Sequence, residues 1–230
     1  MNARQKKKRR KQVRSGYVKA KIRKRNRNLC ERYPFLIPRN DWTGEISFWG
    51  KPYGYTLLDE MPDGWRKAFG LMMCEELRNE LLKYDYLKKY RVVQVKEKFG
   101  ELRWYDNGVP KGCEVWNIVE KYSTLSQNIC FRCGMPDTWI TDEGWILPEC
   151  YHCFKKRIKS REPHVTENEL FERYHKIKCG ETSKMNDFRV FTSYKDGNHV
   201  TNKIDISETA EKIRAKWRAE HETATSSRIP

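Results

Sequence analysis

From Trp65 an apolar residue recurs at every fourth position, through Phe69, Met73, Leu77 and Leu81. That spacing predicts a helix whose apolar ridge wraps slowly around its axis. Pro62, Asp63 and Gly64 ahead of the ridge read as the helix start. Farther along, the period falls to two: residues 90–96 and 101–105 read as the strands of a hairpin. Val93 and Val95 are expected on one face, Leu102 and Trp104 on the partner, and Phe99 and Gly100 near the bend. Val115, Ile118, Val119, Tyr122 and Leu125 restore the helical period, and this second amphipathic helix runs almost directly into Cys130. The pattern predicts an α+β fold built on a small helix-hairpin-helix unit.

Outside that unit the pattern is less regular. Tyr33, Phe35, Trp42, Phe48, Trp49, Tyr53 and Tyr55 fall among Pro and Gly without a clean period. Such aromatics cover a small core or staple a loop to it more often than they stack on unpaired bases. Toward the C-terminus, Thr166 and Glu169 have the capping-box spacing ahead of Leu170, Phe171, Tyr174 and Ile177. Residues 188–194 and 199–206 then flank Lys195, Asp196, Gly197 and Asn198 as a hairpin. Ser207 or Thr209 is placed to cap a last helix carrying Ala210, Ile213 and Trp217, with fraying after about residue 221.

Charge divides the chain differently from hydropathy. The net charge is +16, yet residues 1–28 hold 14 of the 47 Lys and Arg and no acid, leaving 33 bases against 31 acids in the remainder. The basic character therefore belongs to one N-terminal arm and not to the fold. Like charges repel along such an arm, and Val13, Tyr17, Val18 and Ile22 are too few to offset the ordering entropy. It reads as disordered or transiently helical when free. Three segments result: a disordered basic arm (1–28), an α+β zinc-binding domain (29–161) and a C-terminal helix-hairpin-helix extension (162–230). No secretory signal and no stretch of about 18 apolar residues is present, which predicts a soluble, cytoplasmic protein without a membrane partner.

The eight cysteines carry the clearest chemistry. CFRC at 130–133 and CYHC at 150–153 are two CxxC pairs separated by sixteen residues. Each two-residue gap lets the backbone curl so that both thiolates face one ion, and two pairs supply the four corners of a tetrahedron. Cys130, Cys133, Cys150 and Cys153 are thus predicted to bind one structural Zn²⁺. Between the pairs, 138–141 and 145–147 are β-prone runs around Asp142, Glu143 and Gly144, a turn signal. The Gly-free and Pro-free run after the second pair suits a helix starting near Cys150, which gives a treble-clef-like site; a zinc ribbon is the alternative. His152 is expected to be a bystander, and Cys30, Cys74, Cys113 and Cys179 are left without a role. Four thiolates leave no open position for water or substrate, so the metal is read as structural and no catalytic residue is assigned. Two faint nuclease-like groupings, Asp196 with Asn198 and His199, and Asp63 with Gln94 and Lys96, are better explained as a hairpin turn and a helix start.

With these residues placed, the central region resembles a family of small uncharacterised bacteriophage and prophage proteins. YPFLIPRN (33–40), MPDGWRKAFG (61–70), KEKFGELRWYD (96–106) and the CFRCG and CYHC pairs carry the resemblance, over residues 31–155. It implies a phage or prophage origin, hence the cytoplasm of a bacterial host, and a zinc-bound domain; it implies no activity. Function is read from charge. Clustered Lys and Arg displace the counterions condensed on nucleic acid, RNA or DNA, with little sequence preference. The expected contacts are Lys6, Lys7, Lys8, Arg9, Arg10, Lys11, Arg14, Arg23, Lys24, Arg25 and Arg27, joined after the zinc ligands by Lys155, Lys156 and Arg157. A module that presents its zinc domain to a host or phage protein is the second reading, and a metal-dependent nuclease a distant third.

Overall fold

The computed structural model describes residues 3–40, 42–48, 51–141, 145–180, 188–195 and 198–226; the side chains of 3–14, 175–180, 188–195, 198–203 and 222–226 lie outside the description. Among the described residues the fold is a mixture of helices and three separate two-stranded antiparallel sheets. Helix α1 (Ala3–Arg32) leads, followed by α2 (Asp63–Trp65), a π-helical turn (Arg66–Gly70) and α3 (Leu71–Lys83). Strands β1 (Val92–Lys98) and β2 (Glu101–Asp106) come next, then α4 (Val115–Ser126), β3 (Trp139–Thr141), β4 (Leu147–Glu149) and α5 (Tyr151–Arg161). The chain closes with α6 (Glu167–Gly180), β5 (Phe188–Lys195), β6 (Asn198–Asp205) and α7 (Ser207–Ser226).

The fourfold ridge forms the centre of the molecule: Trp65, Phe69, Met73, Leu77 and Leu81 are all fully buried. In an unbroken α-helix, residues four apart drift by about 40° each, so Trp65 and Leu81 would point about 160° apart. The π-helical turn at Arg66–Gly70 absorbs roughly one residue, about 100° of rotation, and returns the ridge to one face. Against that face pack Tyr33, Phe35 and Leu36, Val92, Val95 and Leu102 of the β1–β2 hairpin, and Val115, Tyr122 and Leu125 of α4. Ile206, Ala210 and Ile213 at the start of α7 complete the same core. The C-terminal segment is thus tied to the central body at its last helix. Its first helix, α6, instead shares a second small core with α5, built from Phe154, Ile158, Leu170 and Tyr174. The capping box ahead of α6 is formed: the Thr166 amide and hydroxyl both donate to Glu169 Oε2 at 2.8 Å.

Two strand details differ from the sequence pattern. Val92 pairs with Asp106 and Gln94 with Tyr105, so Val93 is the extra residue of a bulge and is exposed, while Val92 and Val95 are the buried pair. In the second hairpin, β4 is Leu147–Glu149 and not 145–147; Trp145 and Ile146 are exposed, while Leu147, Pro148 and Glu149 are buried. The residues expected to turn that hairpin, Asp142, Glu143 and Gly144, lie outside the described residues, as do Asp196 and Gly197 of the third. The β1–β2 turn follows expectation, with Phe99 (φ 54°) and Gly100 (φ 78°) as its two left-handed residues.

Of the aromatics between 33 and 58, Tyr33 and Phe35 are core, Phe48 packs on Tyr53 at 4.9 Å, and Trp42 is 96% exposed; Trp49 is outside the described residues. Helix α1 is 30 residues, about 45 Å, long. Its last turns dock on the body through buried Asn26 and Cys30, with Asn26 Nδ2 donating to the Tyr53 carbonyl at 3.0 Å. Residues 15–22 are exposed. The helix therefore crosses residue 28, where the charge pattern ends the arm.

The bulge makes a sharp contrast between adjacent valines. Val93→Asp is expected to change stability by less than about 0.5 kcal/mol, whereas Val92→Asp, burying an unpartnered carboxylate, costs about 3 kcal/mol or more in urea unfolding. Equal effects at the two positions would rule out this register.

Candidate metal centre

The first cysteine pair sits in a tight turn directly after α4. Gly134 N donates to Cys130 O at 2.9 Å and Cys130 N to Met135 O at 2.8 Å, with Gly134 at φ 86°, a conformation glycine adopts without strain. The second pair straddles a helix start: Cys150 is the N-cap of α5, and Cys153 lies in its first turn. Phe131 N donates to Pro148 O at 2.9 Å, so the turn is held against β4, and the β3–β4 hairpin carries the chain from one pair to the other.

Together these elements bring the sulfurs of Cys130, Cys133, Cys150 and Cys153 within 4.8 Å of one another, a set that could hold one metal ion. The Cys133 and Cys150 sulfurs are 3.7 Å apart, close to the ~3.8 Å between two thiolates each about 2.3 Å from a tetrahedral ion. Cys130, Cys150 and Cys153 are buried, while Cys133 is exposed. His152, between Cys150 and Cys153, is exposed. Cys30 and Cys74 are buried apart from this cluster; burial pushes the Cys30 thiol up to about 11 and the Cys74 thiol higher.

Protonation of the cluster is uneven. Hydrogen bonds from the Cys133 and Cys150 thiols favour the Cys130 thiolate and lower its pKa. The same hydrogen bond to Cys130 raises Cys150, and burial pushes Cys153 up to about 12. Without a cation the cluster thus favours a thiolate at Cys130 and protons on Cys150 and Cys153. A metal ion has to displace those protons to take four thiolates.

Glycine fixes the cluster to the core. A Cβ on Gly64 would lie 2.1 Å from Cys130 O and 2.7 Å from Gly134 N, and one on Gly134 would lie 2.7 Å from Gly64 O. Two backbones touch here, and Gly64 N donates to Phe131 O at 2.9 Å. The next residue, Trp65, donates its indole N–H to Ile129 O at 2.8 Å from within the core.

A buried carboxylate joins the two halves from the other side. Glu149, 0% exposed, accepts from Arg132 Nε of the turn at 2.8 Å and from Arg157 Nε of α5 at 2.8 Å. Sequence reasoning missed Glu149 and Arg132; the available signal was a single acid next to the second cysteine pair and an arginine inside the first. Arg157, read as a phosphate contact, is buried in this bridge, and Lys155 pairs with Glu167 at 2.7 Å. Lys156 is exposed. In α1, Lys6 to Lys11 and Arg14 fall among the side chains outside the description. Lys24 and Arg27 are exposed, Arg23 is half-buried, and Arg25 pairs with Asp59 at 2.8 Å. Arg27 lies 5.3 Å from the centre of the Tyr53 ring. Among the described residues no helix is long and apolar enough to cross a membrane. Asp63, one of the faint nuclease-like residues, opens α2 and pairs with Arg66. The side chains of Asn198 and His199, like Asp196, are outside the description. No protein-family model, curated protein or solved structure matches the chain.

Because a methyl group at Gly64 has no room, Gly64→Ala is expected to lose about 3 kcal/mol or more of stability and to speed metal loss to a chelator. Gly16→Ala, in α1 with nothing within 4 Å, is the control and is expected not to destabilise. A Gly64→Ala protein that keeps wild-type stability would show that the close approach is not required.

Proposed function

We propose that the chain is a zinc-stabilised nucleic-acid-binding protein that engages the phosphate backbone through its basic N-terminal arm. The observation that carries this reading is helix α1, free of acids up to Glu31 in its last turn, exposed over residues 15–22 and anchored to a body of nearly balanced charge. A 30-residue element without a single acid before Glu31, extending from a folded domain, matches the electrostatic footprint of a polyanion partner.

Zinc is the ion that four thiolates at tetrahedral spacing favour, and its role here is folding energy for a small domain. The order of turn, hairpin and helix, with the second pair at the helix start, supports a treble-clef reading over a zinc ribbon. A closed four-thiolate shell has no position for a substrate, which favours a non-enzymatic role. The resemblance over residues 31–155 favours a phage or prophage origin and action in the host cytoplasm. A second reading, a protein-interaction module, is favoured by Trp42. It is held 96% exposed on a short loop in which Asn40 Oδ1 accepts from the Trp42 and Thr43 amides at 2.9 and 3.0 Å.

Purified protein is expected to carry one zinc per chain. Binding at neutral pH should release about two protons, from Cys150 and Cys153, so affinity falls as pH falls through the thiol range. Calorimetry in buffers of different ionisation enthalpy measures this number. Release of no protons would contradict the ligand set. For the arm, a chain lacking residues 2–22 keeps the docked Arg25, Asn26 and Cys30. If five to ten phosphates are engaged, the full chain shows a slope of log affinity against log salt of about −4 to −9, most of which the truncation removes. Equal, salt-insensitive binding by both forms would sink the nucleic-acid reading and favour the protein-interaction one.

A further inference from the structure

The cations of α5 fall into two groups that the sequence does not separate. On one side, Lys155 and Lys159 both pair with Glu167, at 2.7 and 2.5 Å, and Arg157 is buried against Glu149. On the other, Lys156 and Arg161 form no ion pair or hydrogen bond among the described residues, and both line a groove of about 650 Å³. The facing wall is the metal turn, which contributes Arg132 and Cys133. Arg132 spends only Nε on Glu149; its two terminal nitrogens have no hydrogen-bond partner among the described residues, and its side chain is 45% exposed.

The helix supplies two adjacent rows to this groove, His152, Lys156 and Ser160 in one and Cys153, Arg157 and Arg161 in the other. From residue 152 to residue 161 the rows run about 13 Å. No carboxylate and no Phe, Tyr or Trp ring lines the groove, whose one aromatic side chain is the His152 imidazole. A divalent ion with four thiolates would leave two negative charges beneath it, and Glu149 a third. Arg132, Lys156, Arg157 and Arg161 outweigh them by one charge.

We propose that this groove, between the metal turn and α5, binds the sugar-phosphate backbone of a nucleic acid, as a second contact region besides the arm. The proposal rests on the nucleic-acid reading and makes it specific: Arg132, Lys156 and Arg161 hold phosphates, with His152 and Ser160 as hydrogen-bonding groups at the wall. Unpaired cations spaced along an open groove suit a repeating anion better than a single small one. With no Phe, Tyr or Trp in its lining the groove offers bases no stacking platform beyond one imidazole, so it contacts backbone without reading sequence.

The test uses the full chain with its metal and compares fluorescent oligo(dT), a random-sequence single-stranded RNA and a DNA duplex across a salt series. Lys156→Gln with Arg161→Gln is expected to weaken nucleic-acid binding about tenfold and to make the salt slope shallower by about 1.5 to 2. Lys156→Arg with Arg161→Lys should keep the wild-type affinity, and Lys155→Gln with Lys159→Gln on the paired face should stay within about twofold. Unchanged affinity in the glutamine double variant, while loss of residues 2–22 abolishes binding, overturns the groove and leaves the arm reading standing. Unchanged affinity in both overturns the two together. A glutamine variant that loses binding to a poly-glutamate peptide but not to nucleic acid assigns the groove to an acidic protein instead and also overturns the proposal. Should that variant fold poorly, photo-cross-linking of the unaltered chain decides: adducts on peptides containing Arg132 or His152 support the groove, and adducts confined to α1 reject it.

Discussion

Everything around the metal turn depends on two glycines whose backbones touch. Gly64 lies in the first turn of the central helical segment, Gly134 closes the first cysteine turn, and no side chain fits between them. Because Trp65 follows immediately and sends its indole into the same turn, the start of the core ridge is set by where the cysteines are. Energy that an ion would gain by drawing the four thiolates together would therefore pass to the core through a few backbone atoms, with no flexible side chain between. A small domain with three separate two-stranded sheets has few other ways to fix the relative position of its parts.

Charge is arranged by the same economy. Acids of the body are matched to bases at short range: Asp59 to Arg25 and Arg66, Glu75 to Arg32, Asp137 to Arg214, Glu149 to Arg132 and Arg157. Most of these pairs are solvent-exposed on at least one side and contribute little each. Glu149 differs, because a fully buried carboxylate left with one partner missing would be destabilising by about 3–5 kcal/mol. Helix α1 departs from this pattern, with no acid of its own before Glu31, and on α5 Lys156 and Arg161 form no ion pair among the described residues.

Much of this was legible in the sequence wherever the signal was local. The two CxxC spacings, the capping box at Thr166 and Glu169, the turn at Phe99 and Gly100 and the fourfold ridge all depend on residues near one another, and each is seen in the structure. Non-local choices were not legible. Val92 and Val93 have the same β preference, and only the pairing with β2 decides which is the bulge. Trp145 and Ile146 are as strand-prone as Leu147, yet contact with the cysteine turn selects the later register. Lys155, Lys156 and Arg157 are neighbours in a basic run whose members are sorted by Glu149 and Glu167, acids on different elements. The docking of α7 on the central core joins residues more than a hundred positions apart, beyond the reach of any periodicity.

The π-helical turn at Arg66–Gly70 carries a consequence for how this chain can vary in length. A π turn is an α-helix holding one residue too many, so its removal would leave a regular helix with better backbone hydrogen bonds. Yet shortening by one residue would rotate Met73, Leu77 and Leu81 by about 100° relative to Trp65, which the glycine contact holds in place. The segment is thereby locked in phase at both ends, by the cysteine turn and by the core. Substitutions along it are constrained by volume, but insertions and deletions are constrained by rotation, and the central helical segment should keep its residue count wherever this fold persists.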